Sequence, residues 1–266
     1  YIYHENFKNH ATPNVALMYK PGKFNFRASY AAGFRTPTLS ELYATDIAKK
    51  NDRLTIGNLD LKPEKNNYFS LSAEYVHERF SVSVNAFYNN IRDMIDYNTI
   101  ATGDKAMEQY GHKEVRQRDN IAEAKVHGIN VSANAYLGAG FNLSGGYTHL
   151  NTQDVELEQP IDKSIKNAYN INAQWAHSWK IYRLNINLNG RINSKRFSKS
   201  YGYAPEYQLW DLNTRHSFNL KSVIIEPGFG MENLFDYMDD RPYNSNYATL
   251  TPGRSFYISL SLKFKS

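Results

Sequence analysis

Gly253-Arg254-Ser255-Phe256-Tyr257-Ile258-Ser259-Leu260-Ser261-Leu262-Lys263-Phe264-Lys265-Ser266 is the last stretch of the 266-residue chain. Phe256, Ile258, Leu260, Leu262 and Phe264 fall on one face. Tyr257, Ser259, Ser261, Lys263 and Lys265 fall on the other. A period of two is the mark of a β-strand whose faces meet different surroundings. The run is longer than an ordinary strand of about 5–6 residues. It matches the roughly 9–11 residues that a tilted strand needs to cross a bilayer. Lipid or a second sheet must cover its apolar face.

Ten more runs repeat the pattern. They are residues 14–19, 24–30, 69–75, 80–88, 129–135, 141–148, 169–175, 184–192, 210–218 and 223–231. Short turns at Pro21-Gly22, His77-Glu78, 137–140 and 178–180 alternate with long connections at roughly 34–64, 98–114, 152–164, 194–206 and 237–252. Outer-membrane barrels alternate short periplasmic turns and longer extracellular loops in this way. A lipocalin-like barrel has about 8 strands and no such alternation. A soluble β-sandwich also alternates by twos, but the polar face here carries Arg27, Arg183, Arg191, Arg215, Glu74, Glu226 and Glu232. Charges buried in a soluble core cost several kcal/mol each unless paired. A watery or plugged lumen removes that cost. The apolar face carries almost no charge. Tyr75, Phe80, Tyr136, Phe141, Trp175, Trp179 and Tyr182 cluster near the short turns, as an interfacial girdle would.

The expected fold is therefore all-β, an antiparallel transmembrane β-barrel to which this chain gives about eleven strands. An odd number cannot close an antiparallel barrel, so the chain reads as the C-terminal half of a larger one.

Composition supports this reading. Aromatics make up 14% of the chain, with 21 tyrosines. Mean hydropathy is −0.62, which does not exclude the membrane because alternating strands average out. No run of about 18 apolar residues encodes a transmembrane helix. Cysteine is absent, so disulfides, thiolate metal sites and thiol catalysis are excluded. The net charge of +5 is interleaved rather than gathered in a stripe, so nucleic acid is not an expected partner. Tyr1-Ile2-Tyr3-His4-Glu5 lacks the features of a signal peptide, and a fragment or mature chain is expected.

Gly33-Phe34-Arg35-Thr36-Pro37-Thr38-Leu39-Ser40-Glu41-Leu42-Tyr43 is followed by Gly57-Asn58-Leu59-Asp60-Leu61-Lys62-Pro63-Glu64. The pair resembles the boxes of TonB-dependent outer-membrane receptors. Asp93–Tyr97, Ala124–Val131, Asn233-Leu234-Phe235-Asp236 and the Gly253-Arg254 strand follow in the family's order. The resemblance covers nearly the whole chain. One departure is that Phe264 is followed by Lys265-Ser266, where the family ends on an aromatic. Membership implies a barrel of about 22 strands with an N-terminal plug. That plug, and the segment contacting the TonB-ExbB-ExbD coupling complex, lie outside this sequence. Residues 1–266 are then the C-terminal part of the barrel, in the outer membrane of a Gram-negative bacterium. Lipid and lipopolysaccharide would surround it, and a surface lipoprotein is a further implied partner.

The implied function is active import of a metal chelate: cobalamin, a ferric siderophore or haem. A passive porin is the alternative. An enzyme is not expected, since His149 at a loop end has no matching serine and acid. No cofactor is expected beyond the iron or cobalt chelate itself. Ligand contacts are expected from Tyr43, Arg53, Tyr97, Tyr110, His112, Tyr201, Tyr203, Arg241, Tyr243 and Tyr247. Aromatic faces suit porphyrin, corrin or catecholate rings, and arginine suits carboxylates and anionic chelates. No histidine lies between the two boxes, where haem receptors of the family carry one. His112 or His10 would have to substitute. The boxes also have a plain architectural reading. Pro37 and Pro63 stop pairing, Gly57 and Asn58 suit a turn, and Leu39, Leu42 and Leu61 can pack onto the rim. Arg27, Arg183, Arg191 and Arg215 could hold a plug, or form ladders with Glu74, Asp211, Glu226 and Glu232. Asp239-Asp240 reads as a solvated loop rather than a metal site.

Overall fold

The computed structural model describes residues 2–4, 8–198, 202–239 and 252–265. Eleven strands run β1 Asn14–Tyr19, β2 Phe24–Arg35, β3 Glu64–Val76, β4 Phe80–Thr102, β5 Glu114–Gly138, β6 Phe141–Asp154, β7 Asn167–Trp179, β8 Tyr182–Asn193, β9 Tyr207–Asn219, β10 Val223–Glu232 and β11 Ser255–Phe264. Each pairs antiparallel with its neighbours in chain order, and β1 and β11 are the open edges. These are the eleven strands expected from the alternation.

The turns at one end are tight. Ala139 and Gly140 have φ of 49° and 86°, the left-handed pair that a two-residue hairpin requires. A Cβ on Gly140 would stand against the Ala176 carbonyl oxygen, so only glycine fits.

The apolar face is the exposed one. Leu71 is 63% and Ile258 74% accessible, a reversal of soluble packing that hydrocarbon resolves. The short-turn ends carry a chain of ring contacts. Phe24 meets Tyr75, Tyr75 meets Phe80, and Phe141 meets Trp175. Trp179 stacks on Tyr182, which stacks on His216. His216 sits on the apolar side because the Tyr182 hydroxyl lies 2.7 Å from its Nδ1.

The inward face is an amide and hydroxyl lattice. Asn172 donates to Asn187 and Asn189, and Ser29 meets Ser70 as Ser83 meets Ser132. Ladders, one of the two readings of the inward arginines, do not form among the described residues. Glu74 accepts from Asn25, Glu226 pairs with Lys263, Asp211 accepts from the Asn233 amide and Glu232 from Ser255. Among the described residues, Arg27, Arg183, Arg191 and Arg215 make no ion pair.

The long connections are more ordered than their composition suggests. The one expected at 98–114 shrinks to residues 103–113, and the strand expected from Ile129 starts at Glu114. There helix α2, Gly103–Tyr110, caps an arm in which Ile91–Thr102 pairs with Glu114–Ala124. Residues 36–63 hold helix α1, Leu39–Tyr43, and a hairpin of Thr45–Ala48 with Arg53–Ile56.

Candidate functional site

Two constructions occupy the long-loop end: a knot made by the boxes, and a basic hollow beside it.

Thr38 and Glu41 form a capping box on α1. The Thr38 Oγ1 accepts from the Glu41 amide at 3.2 Å and Glu41 accepts from the Thr38 amide at 2.8 Å. Arg35, ending β2, then clamps both boxes. It gives Glu41 two bonds at 2.8 and 3.1 Å, and Glu64, opening β3, two at 2.8 and 2.5 Å. Glu64 also accepts from the Ile95 amide at 2.8 Å, which ties in the arm. Burial pushes the Glu41 carboxyl up, but the bonds from Arg35 and Thr38 outweigh it and hold its pKa at about 2. Burial likewise pushes Glu64 up, and Arg35 with the Ile95 amide brings it below the usual carboxylate value. The Arg35 guanidinium is correspondingly raised, Glu64 being the larger cause.

The second box closes the loop. The Gly57 amide donates to Ala44 and the Asn58 amide to Glu41. Asn120, on the arm, exchanges bonds with both backbone groups of Lys62 and donates to the Asp93 carbonyl. Leu61, Pro37 and Pro63 are buried. The architectural reading of Arg35, Pro37, Glu41, Gly57, Asn58, Leu61, Pro63 and Glu64 therefore fits their contacts. Leu39 departs from its expected packing on the rim, being 76% exposed. Asn233 supports its own corner, donating to the Tyr237 carbonyl and accepting from the Tyr237 amide. Leu234 donates its amide to the Trp210 carbonyl, and Phe235 meets the Trp210 ring edge.

A Cβ on Gly57 would stand 2.5 Å from the Leu42 carbonyl oxygen. Gly57→Ala should therefore loosen the box by about 1–3 kcal/mol. Proteolysis between residues 43 and 57 should quicken, and an unchanged digestion rate would show that the contact yields freely.

The hollow follows from a change of strand neighbours. Above Ala124, β5 leaves β6 and pairs in parallel with Arg53–Ile56, with Arg53 opposite Glu114 and Thr55 opposite Arg116. Arg116 and Arg118 lie two apart on β5, beyond the register shifts, and share one face of the arm. Tyr97 pairs with Arg118 and shares it. The opposite face buries Val115 completely. Arg53, Thr55, Tyr97, Arg116, Arg118, Ser40 and Asp46 line a hollow of about 180 Å³.

Arginines outnumber acids in its lining, with Asp46 the acid beside Arg53, Arg116 and Arg118. The Arg118 guanidinium lies 3.6 Å from the Tyr97 ring centre, and its Nη2 donates to the Tyr97 hydroxyl at 2.5 Å. Arg116 donates to Glu114 at 2.6 Å. Arg53 Nε is buried without a partner. A buried orphan donor costs about 1–3 kcal/mol, a penalty that a bound acceptor would remove.

Of the expected ligand contacts, the structure brings together Arg53 and Tyr97. It adds Arg116 and Arg118, which lay in a stretch with no strand signal. Tyr43 is 66% exposed and outside the hollow. Tyr110 ends α2. His112 sits 2.9 Å from Asp52, and that hydrogen bond lowers the Asp52 pKa. Tyr203 packs edge-on against Phe197. Tyr201, Arg241, Tyr243 and Tyr247 lie outside the described residues, as does Asp240. His149 meets Asn167 and Tyr147 rather than a serine or an acid. No cluster of potential metal ligands occurs among the described residues.

Known structures share this architecture. The ferric enterobactin receptor PfeA of Pseudomonas aeruginosa superposes with a TM-score of 0.76 at 19% identity, over 99% of this chain and 41% of that one. The siderophore receptor PirA of the same organism gives 0.69 at 17%, over 99% and 44%. BauA, the ferric preacinetobactin receptor of Acinetobacter baumannii, gives 0.67 at 18%, over 95% and 36%. The chain thus spans less than half the length of each. The family profile described as TonB dependent receptor-like, beta-barrel matches residues 1–234. The chain belongs to the TonB-dependent receptor family, whose members are integral β-barrels of the outer membrane.

Proposed function

We propose that the protein is the C-terminal barrel half of an active outer-membrane receptor that binds and imports an anionic ferric siderophore. Uptake would be driven by the TonB-ExbB-ExbD complex through a plug outside this sequence. The observation that carries the ligand class is the hollow at the long-loop end, where Arg53 and Arg118 have no carboxylate partner among the described residues. Charge-assisted bonds from arginine to an anionic chelate are strong and directional. A corrin offers them little, so cobalamin is the weaker reading. Haem would bring carboxylates, but among the described residues Tyr97 is the one aromatic ring lining the hollow, and Arg118 already covers a face of it. The role is transport, not catalysis.

The test is tryptophan quenching of the full-length receptor by ferric siderophores, haemin and cyanocobalamin. Replacing both Arg53 and Arg118 by alanine should weaken the preferred siderophore by about 30-fold, as loss of two charge-assisted bonds predicts. Tight cyanocobalamin binding that survives the double substitution would overturn the reading. Uptake that persists without TonB would favour a passive channel instead.

A further inference from the structure

We propose that the hollow selects an amphoteric ferric chelate, one that presents a protonated amine beside its anionic groups, and that Asp46 is the residue that recognises the amine. The inference rests on the receptor reading above and narrows the ligand that such a receptor takes.

Register builds the hollow in rows. The hairpin strand Thr45–Ala48 pairs with Arg53–Ile56, which pairs in parallel with the start of β5. Residues opposite one another on paired strands share a face. One row therefore reads Asp46, Thr55, Arg116. The next row on that face reads Ala48, Arg53, Glu114. Neighbouring strands lie roughly 5 Å apart, so the Asp46 and Arg116 backbones stand roughly 10 Å apart with Thr55 between them. The lining is thus bipolar. Its acid stands on the outer hairpin strand, and its arginines stand on the inner hairpin strand and on β5. Ala44, Ala48 and Gly57 complete the hairpin side without long side chains, which leaves the space between the two charges open.

The acid is not used within the chain. Glu114 holds Arg116 at 2.6 Å, and Arg118 lies over the Tyr97 ring. Asp46 makes no ion pair among the described residues and is exposed. A carboxylate in the lining repels a wholly anionic ligand, and the same carboxylate makes a charge-assisted bond to an ammonium group. Specificity is a difference of affinities, and Asp46 moves both sides of it. Size points the same way. A hollow of about 180 Å³ is smaller than the roughly 300–1,000 Å³ that encloses a whole small molecule. It takes one end of a chelate. An end that carries a carboxylate and an amine together, as an amino-acid terminus does, answers both charges of the lining.

Tryptophan quenching of the intact, detergent-purified receptor tests this with two synthetic ferric chelates, a tris-catecholate and a carboxylate–hydroxamate. Each is made with one free primary amine and again in N-acetylated form. The wild type should bind the amine form about fivefold more tightly, as a charge-assisted bond at an exposed carboxylate predicts. Asp46→Asn keeps the size of the side chain and removes its charge. It should erase that preference and bind the N-acetylated form about twofold more tightly than the wild type does, while Asp46→Glu should keep the preference. Equal binding of the two forms by the wild type would sink the proposal, as would a preference that survives in Asp46→Asn. If the two forms bind equally and the Arg53 and Arg118 substitutions still weaken both, the receptor reading stands and the role of Asp46 falls alone. If neither chelate binds in either form, both fall together.

Discussion

Leu188→Arg should abolish assembly of the barrel, while Asn187→Arg one position away should be tolerated. Leu188 lies between Ala173 on β7 and Leu212 on β9. With Leu143, Trp175 and Ile186 it lines an outward apolar hollow of about 570 Å³. An arginine there must enter hydrocarbon, at a cost of about 2–4 kcal/mol near the midplane. That cost exceeds a tenfold shift in the folded population, and snorkelling recovers only part of it. Asn187 faces the other way. It accepts from Asn172 at 2.6 Å and stands among Gln174 and Asn213 on the lumen wall. An arginine there loses one amide contact and keeps its water. The readout is the heat-modifiable folded band in outer membranes. Loss should be at least tenfold for Leu188→Arg and under twofold for Asn187→Arg, from the energies above. Equal tolerance would mean that the two faces have been assigned the wrong way round.

The same contrast explains what the sequence made legible. Within the membrane each strand has one face in hydrocarbon and one in a polar lumen, so the period of two is enforced residue by residue. All eleven strands could be read there, with Phe256–Phe264 the plainest. Beyond the bilayer that constraint ends. In the arm, Asp96, Asn98, Asp119 and Asn120 occur on β4 and β5 without alternation, because no lipid meets either face. Three register shifts, one of them around Asp93 with φ of 55°, break the count further. The strand signal vanished, and Arg116 and Arg118 vanished from the expected site with it. Arg53 and Tyr97 were expected from residue type and loop position, not from their neighbours. The parallel pairing of Arg53–Ile56 with the start of β5 is a long-range contact that no local pattern announces. One missed signal was local. Thr38-Leu39-Ser40-Glu41 has the spacing of a capping box, which marks a helix start and gives Glu41 its place.

Arg35→Met should release the box loop and blunt its response to acid. In the wild type the clamp holds two carboxylates whose side chains are only 13% and 15% exposed, while the arginine itself is 43% exposed. Exposed pairs contribute little, but stranding partly buried charges is costly. An intermediate loss of about 2 kcal/mol is expected, or roughly 30-fold faster amide exchange at residues 42, 44, 57 and 58. The size of the pH response separates this from a general loosening. In the wild type Glu41 is held at about 2, and Glu64 is also lowered. The unfolded loop then binds more protons than the folded one, so stability is full above the usual carboxylate range near 4.5 and is lost as pH falls toward 2. Without Arg35, its lowering of both carboxyls is lost, while burial, the Thr38 bonds to Glu41, and the Ile95 bond and Glu41 repulsion on Glu64 remain. The depression of both carboxyls shrinks, so the folded and unfolded loops differ less in bound protons and less stability is lost on acidification. Acidification below about 4.5 should therefore speed exchange, relative to the intrinsic rate, more in the wild type than in Arg35→Met. If both proteins lose protection equally on acidification, the carboxylates are not what Arg35 restrains. Arg35→Lys should recover the pH trend but only part of the protection, because a lysine cannot hold two carboxylates in a planar fork.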